Sequence, residues 1–434
     1  EDHDVTVIDQ SEKLIEKINQ SLDLNSYVGF ASHPSVLENA GAADADMIVA
    51  VTQSDEINMI ACQVAHSVFN IRTKIARIRS QNYFTHQDLF VPESIPIDVI
   101  ISPEIEVAKA ILDRLHVPGS NETALFADAN IKLVSVKPYE SASLLGMTIA
   151  NANKELRKNN AKIIAFSEDQ ELQISNFSPK INLDMEVFFI TEAKAIKTVM
   201  AQFGHEETEA RKIRIIGGGK IGFYLGQQLE INENNNIKII ERSVNRANYI
   251  AEKLFNCTVI NGDAVDQEIL DEANISSSDS LIAVSNDDEV NILSTLLAKK
   301  IGCKKTVALI NTSSFSPLFS SLGIDTIINP KEITISSILR YIRSLKVRKA
   351  FSLCDSQAEI IETDAFDASF CIGKTVKELS LPKGVELCAI YRIDEVIIPD
   401  EKTVIAEKDR LMVISYVEKM KKVEKIFSNK VKYT

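Results

Sequence analysis

Three glycines and one acid carry the clearest chemical signal in the chain. Gly217, Gly219 and Gly222 form G-x-G-x-x-G within Gly217-Gly218-Gly219-Lys220-Ile221-Gly222, and Glu241 stands 24 positions after Gly217. In this pattern Gly217 permits a tight turn and Gly219 lets the backbone approach a pyrophosphate. Gly222 lets a helix lie close to a strand. The helix that follows offers free N–H groups and a partial positive charge to phosphates. Glu241 is placed to accept hydrogen bonds from ribose hydroxyls. It would repel a 2′-phosphate, which favours NAD(H) or an adenine nucleotide over NADP. The competing explanation is a fold that keeps the glycines for packing alone. Lys220, in the first turn after the glycines, either reaches a phosphate or faces solvent, the second being the commoner outcome.

The elements needed to position these residues are legible around them. Ile213 to Ile216 reads as a buried strand, and Ile221, Leu225 and Leu229 recur at helical spacing. Ile237 to Ile240 is a second apolar strand that ends in Glu241. Strand, glycine loop, helix, strand and acid is the order that dinucleotide binding requires.

The unit is repeated. Met47-Ile48-Val49-Ala50-Val51-Thr52-Gln53-Ser54-Asp55-Glu56-Ile57-Asn58 matches Ser280-Leu281-Ile282-Ala283-Val284-Ser285-Asn286-Asp287-Asp288-Glu289-Val290-Asn291 at a constant offset of 233. Val5 to Ile8 followed by Asp9 matches Ile237 to Ile240 followed by Glu241, and Tyr27-Val28-Gly29-Phe30-Ala31 matches Ile260-Asn261-Gly262-Asp263-Ala264. This is an internal duplication of a βαβ-rich unit. In the given sequence no glycine loop with its own strand precedes the strand that ends in Asp9, so the first nucleotide site is incomplete as given. The expectation is that roughly twenty residues precede the given sequence; a degenerate first copy is the alternative. Asp55, Glu56, Asp288 and Glu289 are expected to stabilise the helices they open rather than to bind a cation.

Each unit leads, after Pro103 or Pro330, into an amphipathic helix, Glu104 to Val117 and Glu332 to Val347. Docking on a neighbouring domain and packing on the helix's own sheet are equally compatible with its pattern. Arg340, Arg343, Lys346, Arg348 and Lys349 read as a solvated face or interface charges. Shorter strand-rich segments then repeat as well. Leu145-Gly146-Met147-Thr148-Ile149 matches Ile372-Gly373-Lys374-Thr375-Val376, and Asp184 to Phe188 matches Asp409 to Val413. The polar stretch from Gly204 to Lys212 reads as a linker, and Asn429 to Thr434 as a frayed end.

Composition excludes several functions. The 434 residues carry a net charge of −13, so nucleic acid is not an expected partner. No apolar run is long enough to span a bilayer, and no signal peptide is visible. The six cysteines contain no C-x-x-C pair and read as reduced thiols of a cytosolic protein. No catalytic residue and no metal ligand set is identified. An NAD-dependent oxidoreductase is the main alternative function, but no proton donor pair or substrate domain is evident. A redox sensor acting on DNA is disfavoured by the charge.

The double layout, with G-x-A or G-D-A followed by A-V-[ST]-x-x-D-E-x-N, resembles the RCK/KTN family of potassium-conductance regulators. Ala31-Ser32-His33-Pro34, Ala61-Cys62-Gln63-Val64-Ala65 and Ala76-Arg77-Ile78-Arg79-Ser80 are similar to its Trk-type members. The resemblance implies two tandem Rossmann-like parallel-sheet domains of α/β class, each followed by a small α+β domain. The divisions expected are 1–102, a crossover helix and linker 103–121, a small domain 122–203, and a linker 204–211. The second half divides into 212–329, a crossover helix 330–347 and a small domain 348–434. It implies a non-enzymatic regulatory subunit, assembled as a homotetrameric ring on the cytoplasmic face of a Trk-type membrane potassium-translocating subunit. NAD(H) and ATP or ADP would be its ligands. In the first copy Asp9 would meet ribose hydroxyls, and Gly29 and Ala31 would also be cofactor-binding. Thr52 and Gln53 would line the strand end, Arg77 would pair with phosphates, and Arg79 would reach a neighbour's nucleotide. In the second copy Gly217, Gly218, Gly219, Lys220, Ile221 and Gly222 would hold the pyrophosphate and Glu241 the ribose. Ser285 and Asn286 would line the strand end, and Asp263 would approach the adenine edge. Leu309 stands where the first copy has Arg77, so the second site is expected to hold triphosphates less well.

Overall fold

The structure is a computed structural model. It describes residues 4–84, 86–168, 171–174, 178–312, 323–342, 347–354, 357–365 and 370–427. The chain divides into two compact units, Glu1–Glu104 and Ile105–Thr434.

The first unit contains two parallel ladders. β1 (Thr6–Asp9) pairs with β2 (Asn25–Val28), while β3 (Met47–Ala50), β4 (Thr73–Arg77) and β5 (Val99–Ile101) form the other. The helix Asp55–Ser67 runs between β3 and β4, as a right-handed parallel crossover demands. Its Met59, Ala61 and Cys62 pack with Ala50, Ala76 and Ile78 in a buried cluster.

The second unit holds three sheets. β6 (Glu122–Phe126), β7 (Ile131–Val136), β8 (Ala161–Glu168), β9 (Glu171–Ile174) and β10 (Glu186–Glu192) pair antiparallel in the order β6-β7-β10-β8-β9. The central sheet contains β11 (Lys212–Ile216), β12 (Asn236–Glu241), β13 (Cys257–Asn261), β14 (Ser280–Ala283), β15 (Lys305–Leu309) and β16 (Thr326–Ile328). All six are parallel, in the order β13-β12-β11-β14-β15-β16. The chain direction of the sheet's growth reverses at β11, between β12 and β14, which makes that carboxyl edge the crevice where ligands bind in such sheets. β17 (Val347–Leu353), β18 (Ala358–Asp364), β19 (Val385–Arg392), β20 (Glu395–Ile397) and β21 (Arg410–Tyr416) take the order β17-β18-β21-β19-β20. That is the order of the first antiparallel sheet, and the bridges Thr148–Lys180 and Thr375–Val404 recur at matching places.

The two small sheets share one core. Phe126, Leu133, Phe188 and Ile190 cluster with Ile360, Ala389, Met412 and Ile414. Around it, Lys162 pairs with Glu386, Arg410 with Asp128 at 2.7 Å, and Tyr416 Oη donates to Leu172 O at 3.1 Å.

The helix Pro103–Leu115 resolves the choice left by its sequence. Val107, Ala108 and Ile111 are buried in the cluster that also holds Ile213, Ile215, Phe223 and Leu225. It therefore docks on the second parallel sheet. The helix Pro330–Ile342 touches the same cluster through Ile333, and Ile335 remains exposed. Of its expected extent to Val347, residues 343–346 lie outside the described residues, as do 429–434, and Val347 opens β17 instead of closing the helix. Arg348 pairs with Asp364 at 2.7 Å. The stretch 205–211 has no regular structure, but its His205 is buried and hydrogen-bonds Lys137 O at 2.8 Å.

Candidate nucleotide site

The glycine loop joins β11 to the helix Lys220–Leu229. Gly217 has φ of +94°, and a Cβ there would lie 2.9 Å from the Ser285 backbone, so turn and close approach both require glycine. A Cβ on Gly222 would fall 1.9 Å from Gly217 O. Gly222 thus packs against the loop itself as the helix enters. Around Gly219 the space is open, with nothing within 4 Å of a built Cβ. Gly218, outside the motif, is as constrained as its neighbours: a Cβ there would meet Ile250 at 2.2 Å. Lys220 is exposed, and Ile221 is partly buried against the core.

Glu241 closes β12 with both oxygens engaged. Oε2 accepts from Gly218 N at 2.7 Å and Oε1 from Ser243 N at 2.8 Å. The acid therefore holds the loop that would face the phosphates. Asp9 repeats half of this, accepting from Ser11 N at 2.7 Å. Sequence reasoning missed Arg246. Its Nε donates to Gly218 O at 2.7 Å, and its guanidinium lies 4.8 Å from the Tyr249 ring centroid and 5.4 Å from that of Phe223. Five positions beyond Glu241, in the first turn of Val244–Lys253, was the signal available.

The strand ends on the other side of the loop repeat atom for atom. Asn58 Oδ1 accepts from Thr52 N at 2.8 Å and Thr52 Oγ1 at 2.7 Å; Asn291 Oδ1 accepts from Ser285 N at 2.9 Å and Ser285 Oγ at 2.8 Å. Asn58 Nδ2 donates to Arg77 O at 2.8 Å, and Asn291 Nδ2 to Leu309 O at 2.8 Å. Each asparagine is wholly buried and ties two strand ends together across the crevice edge. The carboxylates also have a job other than the one expected from helix ends alone. Asp55 accepts from Arg79 N at 3.0 Å and Ser80 N at 2.8 Å, and Asp288 from Asn311 N at 3.0 Å and Thr312 N at 2.9 Å. They pin the loop after the next strand. Partial burial raises the Asp288 pKa, but the N–H groups of Asn311 and Thr312 outweigh it and hold the carboxyl below its ordinary value. Gln53 is exposed.

Gly29 and Gly262 serve packing: a Cβ would lie 2.9 Å from Val36 or 2.4 Å from Ile269. Ala31 packs against the first unit's core, and Asp263 accepts from Val265 N at 3.2 Å. Asn286 follows Ser285 at the strand end, where its side chain makes none of the contacts that fix Asn291.

The cationic end differs between copies. Arg77 closes β4 opposite Ile101, and Leu309 closes β15 opposite Ile328. Arg77 donates to Thr52 O at 2.7 Å, yet its Nε is buried with no hydrogen-bond partner. Desolvation, then the neighbouring Arg79, lower its pKa, with Glu104 and Asp55 acting against them. Arg79 Nε, also without a hydrogen bond, lies 3.6 Å from Glu104 Oε1, and Glu104 Oε2 is likewise unpartnered. A buried donor in this state costs free energy until an acceptor arrives. Leu309 is buried and offers no donor in the second copy.

These features agree with comparison to known proteins. The TrkA-N domain family matches residues 1–103 and 213–330, and the TrkA-C domain family matches 367–428. The chain is 38% identical over 430 residues to the Trk system potassium uptake protein TrkA of Azorhizobium caulinodans, covering 98% of this chain and 94% of that one. It is 35% identical to the protein of the same name from Halomonas elongata, with the same coverage. Among solved structures, the GsuK RCK domain superposes with a TM-score of 0.59 at 18% identity, over 98% of this chain and 90% of that one. The GsuK channel bound to NAD gives 0.60 at 20%, over 98% and 75%. At such identity these two structures speak for the fold alone. The repeated parallel sheets, the glycine loop with its acid and the near full-length sequence relationship lead to one assignment: the chain belongs to the TrkA family of potassium uptake proteins.

Proposed function

We propose that this chain is the regulatory subunit of a Trk-type potassium uptake system. It binds nucleotides at the carboxyl edges of its two parallel-sheet domains and passes their occupancy to a membrane potassium-translocating subunit. NAD(H) and ATP or ADP are the ligands. The working assembly is a homotetrameric ring on the cytoplasmic face of the membrane; no helix among the described residues is long and apolar enough to cross one. The domain divisions given by the sequence belong to this reading.

The observation that carries it is the pairing of an open glycine loop and Glu241 in one copy with Asp9 and the under-bonded Arg77 in the other. Phosphates are the acceptors that such donors lack. Arg77 in the first copy and Leu309 in the second give the sites different ligands: the first takes ATP or ADP as well as NAD(H), the second favours NAD(H). The regulatory step needs no catalysis. A nucleotide that binds one ring shape about tenfold more tightly than another contributes about 1.4 kcal/mol per site to the shift.

The test is potassium flux in liposomes that contain the membrane subunit, with the chain and ATP, ADP or NADH added. Flux should respond to nucleotide, and Asp9→Ala or Arg77→Ala should blunt the response. Isothermal titration should show that Arg77→Ala loses ATP affinity and Glu241→Ala loses NADH affinity. Flux that ignores the chain while nucleotide still binds would overturn the transport role. Equal ATP loss in both variants would overturn the division of ligands.

A further inference from the structure

The stretch that joins the first small sheet to the second parallel sheet is fastened by one buried ring. His205 lies between the helix Ile196–Gln202 and Lys212, which opens β11, the strand that ends in the glycine loop. Its side chain is 3% exposed. Gly119, with φ of +87°, approaches so closely that a Cβ there would lie 2.4 Å from Nδ1, and the Tyr139 ring stands 4.0 Å away between centroids. The imidazole thus gathers three segments: the loop after the helix Pro103–Leu115, the loop after β7 and the linker itself.

Both ring nitrogens face acceptors. Nε2 is 2.8 Å from Lys137 O, and a carbonyl only accepts, so Nε2 carries a proton. Nδ1 is 3.3 Å from Glu207 Oε1. A neutral ring with its proton on Nε2 would turn the lone pair of Nδ1 toward that oxygen. One further proton must therefore lie between the two atoms. Glu207 is suited to leave it on the ring. Tyr139 Oη donates to the same oxygen at 3.3 Å. Burial pushes the Glu207 carboxyl up, but its own backbone N–H, His205 and Lys305 outweigh it and hold the group below its ordinary value. Lys305 opens β15, so the carboxylate meets the first small domain through Tyr139 and the second parallel sheet through Lys305. Asp325 acts on both Tyr139 and Lys305. The remaining charged neighbours, His116, Lys197, Glu206, Glu209, Arg211 and Asp279, line a cavity of about 670 Å³ beside the ring.

We propose that His205 is a proton-operated latch between the first small domain and the second parallel-sheet domain. Doubly protonated, the ring closes the linker on Lys137 O and Glu207; loss of one proton to solvent releases Glu207 and lets the linker move. Closure takes up a proton that a free imidazole holds only below about pH 6.5. It is favoured by acid and is lost as pH rises through the histidine range. The cavity gives water access to the freed carboxylate. β15 carries the change toward the nucleotide crevice, because Asn291 ties its far end, Leu309 O, to Ser285 O. That consequence rests on the nucleotide reading above; the latch itself does not.

The experiment is hydrogen exchange of the full chain from about pH 5.5 to about pH 8.5, corrected for intrinsic exchange and read in peptides spanning 137–142 and 200–212. Protection of both should fall with rising pH, by up to about tenfold per pH unit, the limit for a single proton. His205→Ala should leave both peptides weakly protected at every pH. Glu207→Gln supplies an amide N–H to the neutral Nδ1, so both peptides should stay protected and lose their pH dependence. NAD, titrated at about pH 6 and about pH 8, should bind the unsubstituted chain with different affinities and Glu207→Gln with equal ones. Protection that ignores pH in the unsubstituted chain would overturn the inference. So would survival of its pH dependence in Glu207→Gln or His205→Ala. A working latch with unchanged NAD affinity would overturn its coupling to the site. Absence of NAD binding at both pH values would overturn the nucleotide reading and leave the latch standing.

Discussion

Replacing Asn291 by alanine should unlatch the crevice edge of the second parallel sheet. The side chain is fully buried and makes four hydrogen bonds: from Ser285 N and Oγ, and to Ser285 O at 3.0 Å and Leu309 O at 2.8 Å. Ser285 is partly exposed, so water can replace the bond to its hydroxyl. Leu309 O and Ser285 N sit at buried strand ends and would lose their partner. Each such group costs about 1–3 kcal/mol; with Ser285 only partly buried the lower part of that range applies, so the expected loss for the two is about 2–4 kcal/mol. Several domains unfold in one chain, and a single global melting value would blur the effect. Hydrogen exchange read by mass spectrometry is the better assay. If local opening limits exchange, peptides spanning 280–291 and 305–312 should exchange on the order of 30- to 1,000-fold faster. Ser285→Ala removes the hydroxyl and keeps the backbone bond, so it should cost less than about 1 kcal/mol. Asn58→Ala should reproduce the effect in the first unit, since its bonds to Thr52 and Arg77 have the same lengths within a few tenths of an ångström. Unchanged exchange in both peptides would refute the claim that the asparagine holds the two strand ends together.

Two glycines of the fingerprint should behave in opposite ways. Gly222→Ala places a methyl 1.9 Å from Gly217 O and should destabilise the second parallel-sheet domain by several kcal/mol, at least about 3, read by hydrogen exchange in that domain; Gly219→Ala meets open space and should spare stability while weakening NADH in a titration. Asp279 accepts from Lys304 Nζ at 2.8 Å and from Arg211 N and Lys212 N, which pins the start of β11. Partial burial pushes its pKa up, but Lys304 and the two backbone N–H groups dominate and bring it down to about 2. A folded pKa below the unfolded one gives stability that is present above pH ~4 and is lost as pH falls toward about 2. After allowance for solvent screening, Asp279→Asn should cost about 1–2 kcal/mol at neutral pH and flatten that part of an acid melt. Lys162→Met removes the cation that faces Glu386 between the small sheets, where the two side chains are 11% and 13% exposed; the loss should be no more than about 3–5 kcal/mol, and adding Glu386→Leu should recover part of it.

Part of this protein is written along the chain. The offset of 233 between Asn58 and Asn291 announced two copies of one unit, because a duplicated fold keeps the side chains that tie its strands. The glycine loop and Glu241 were readable because backbone turns and close approach admit few residue types. What the Asp and the Asn of D-E-x-N do was not readable. Their partners, Arg79 N, Asn311 N, Arg77 O and Leu309 O, lie some twenty positions away and meet them only when the next strand is in register. The helix Pro103–Leu115 carries an apolar face that any sheet would satisfy, and only packing decided that it docks on the second copy's sheet. Arg246 gave no motif, since its target is a pair of carbonyls brought beside it by the turn after β12. Sequence determines local conformation and periodic faces. Which face meets which, and which donor is left without an acceptor at the crevice, is decided by contacts between distant parts of the chain.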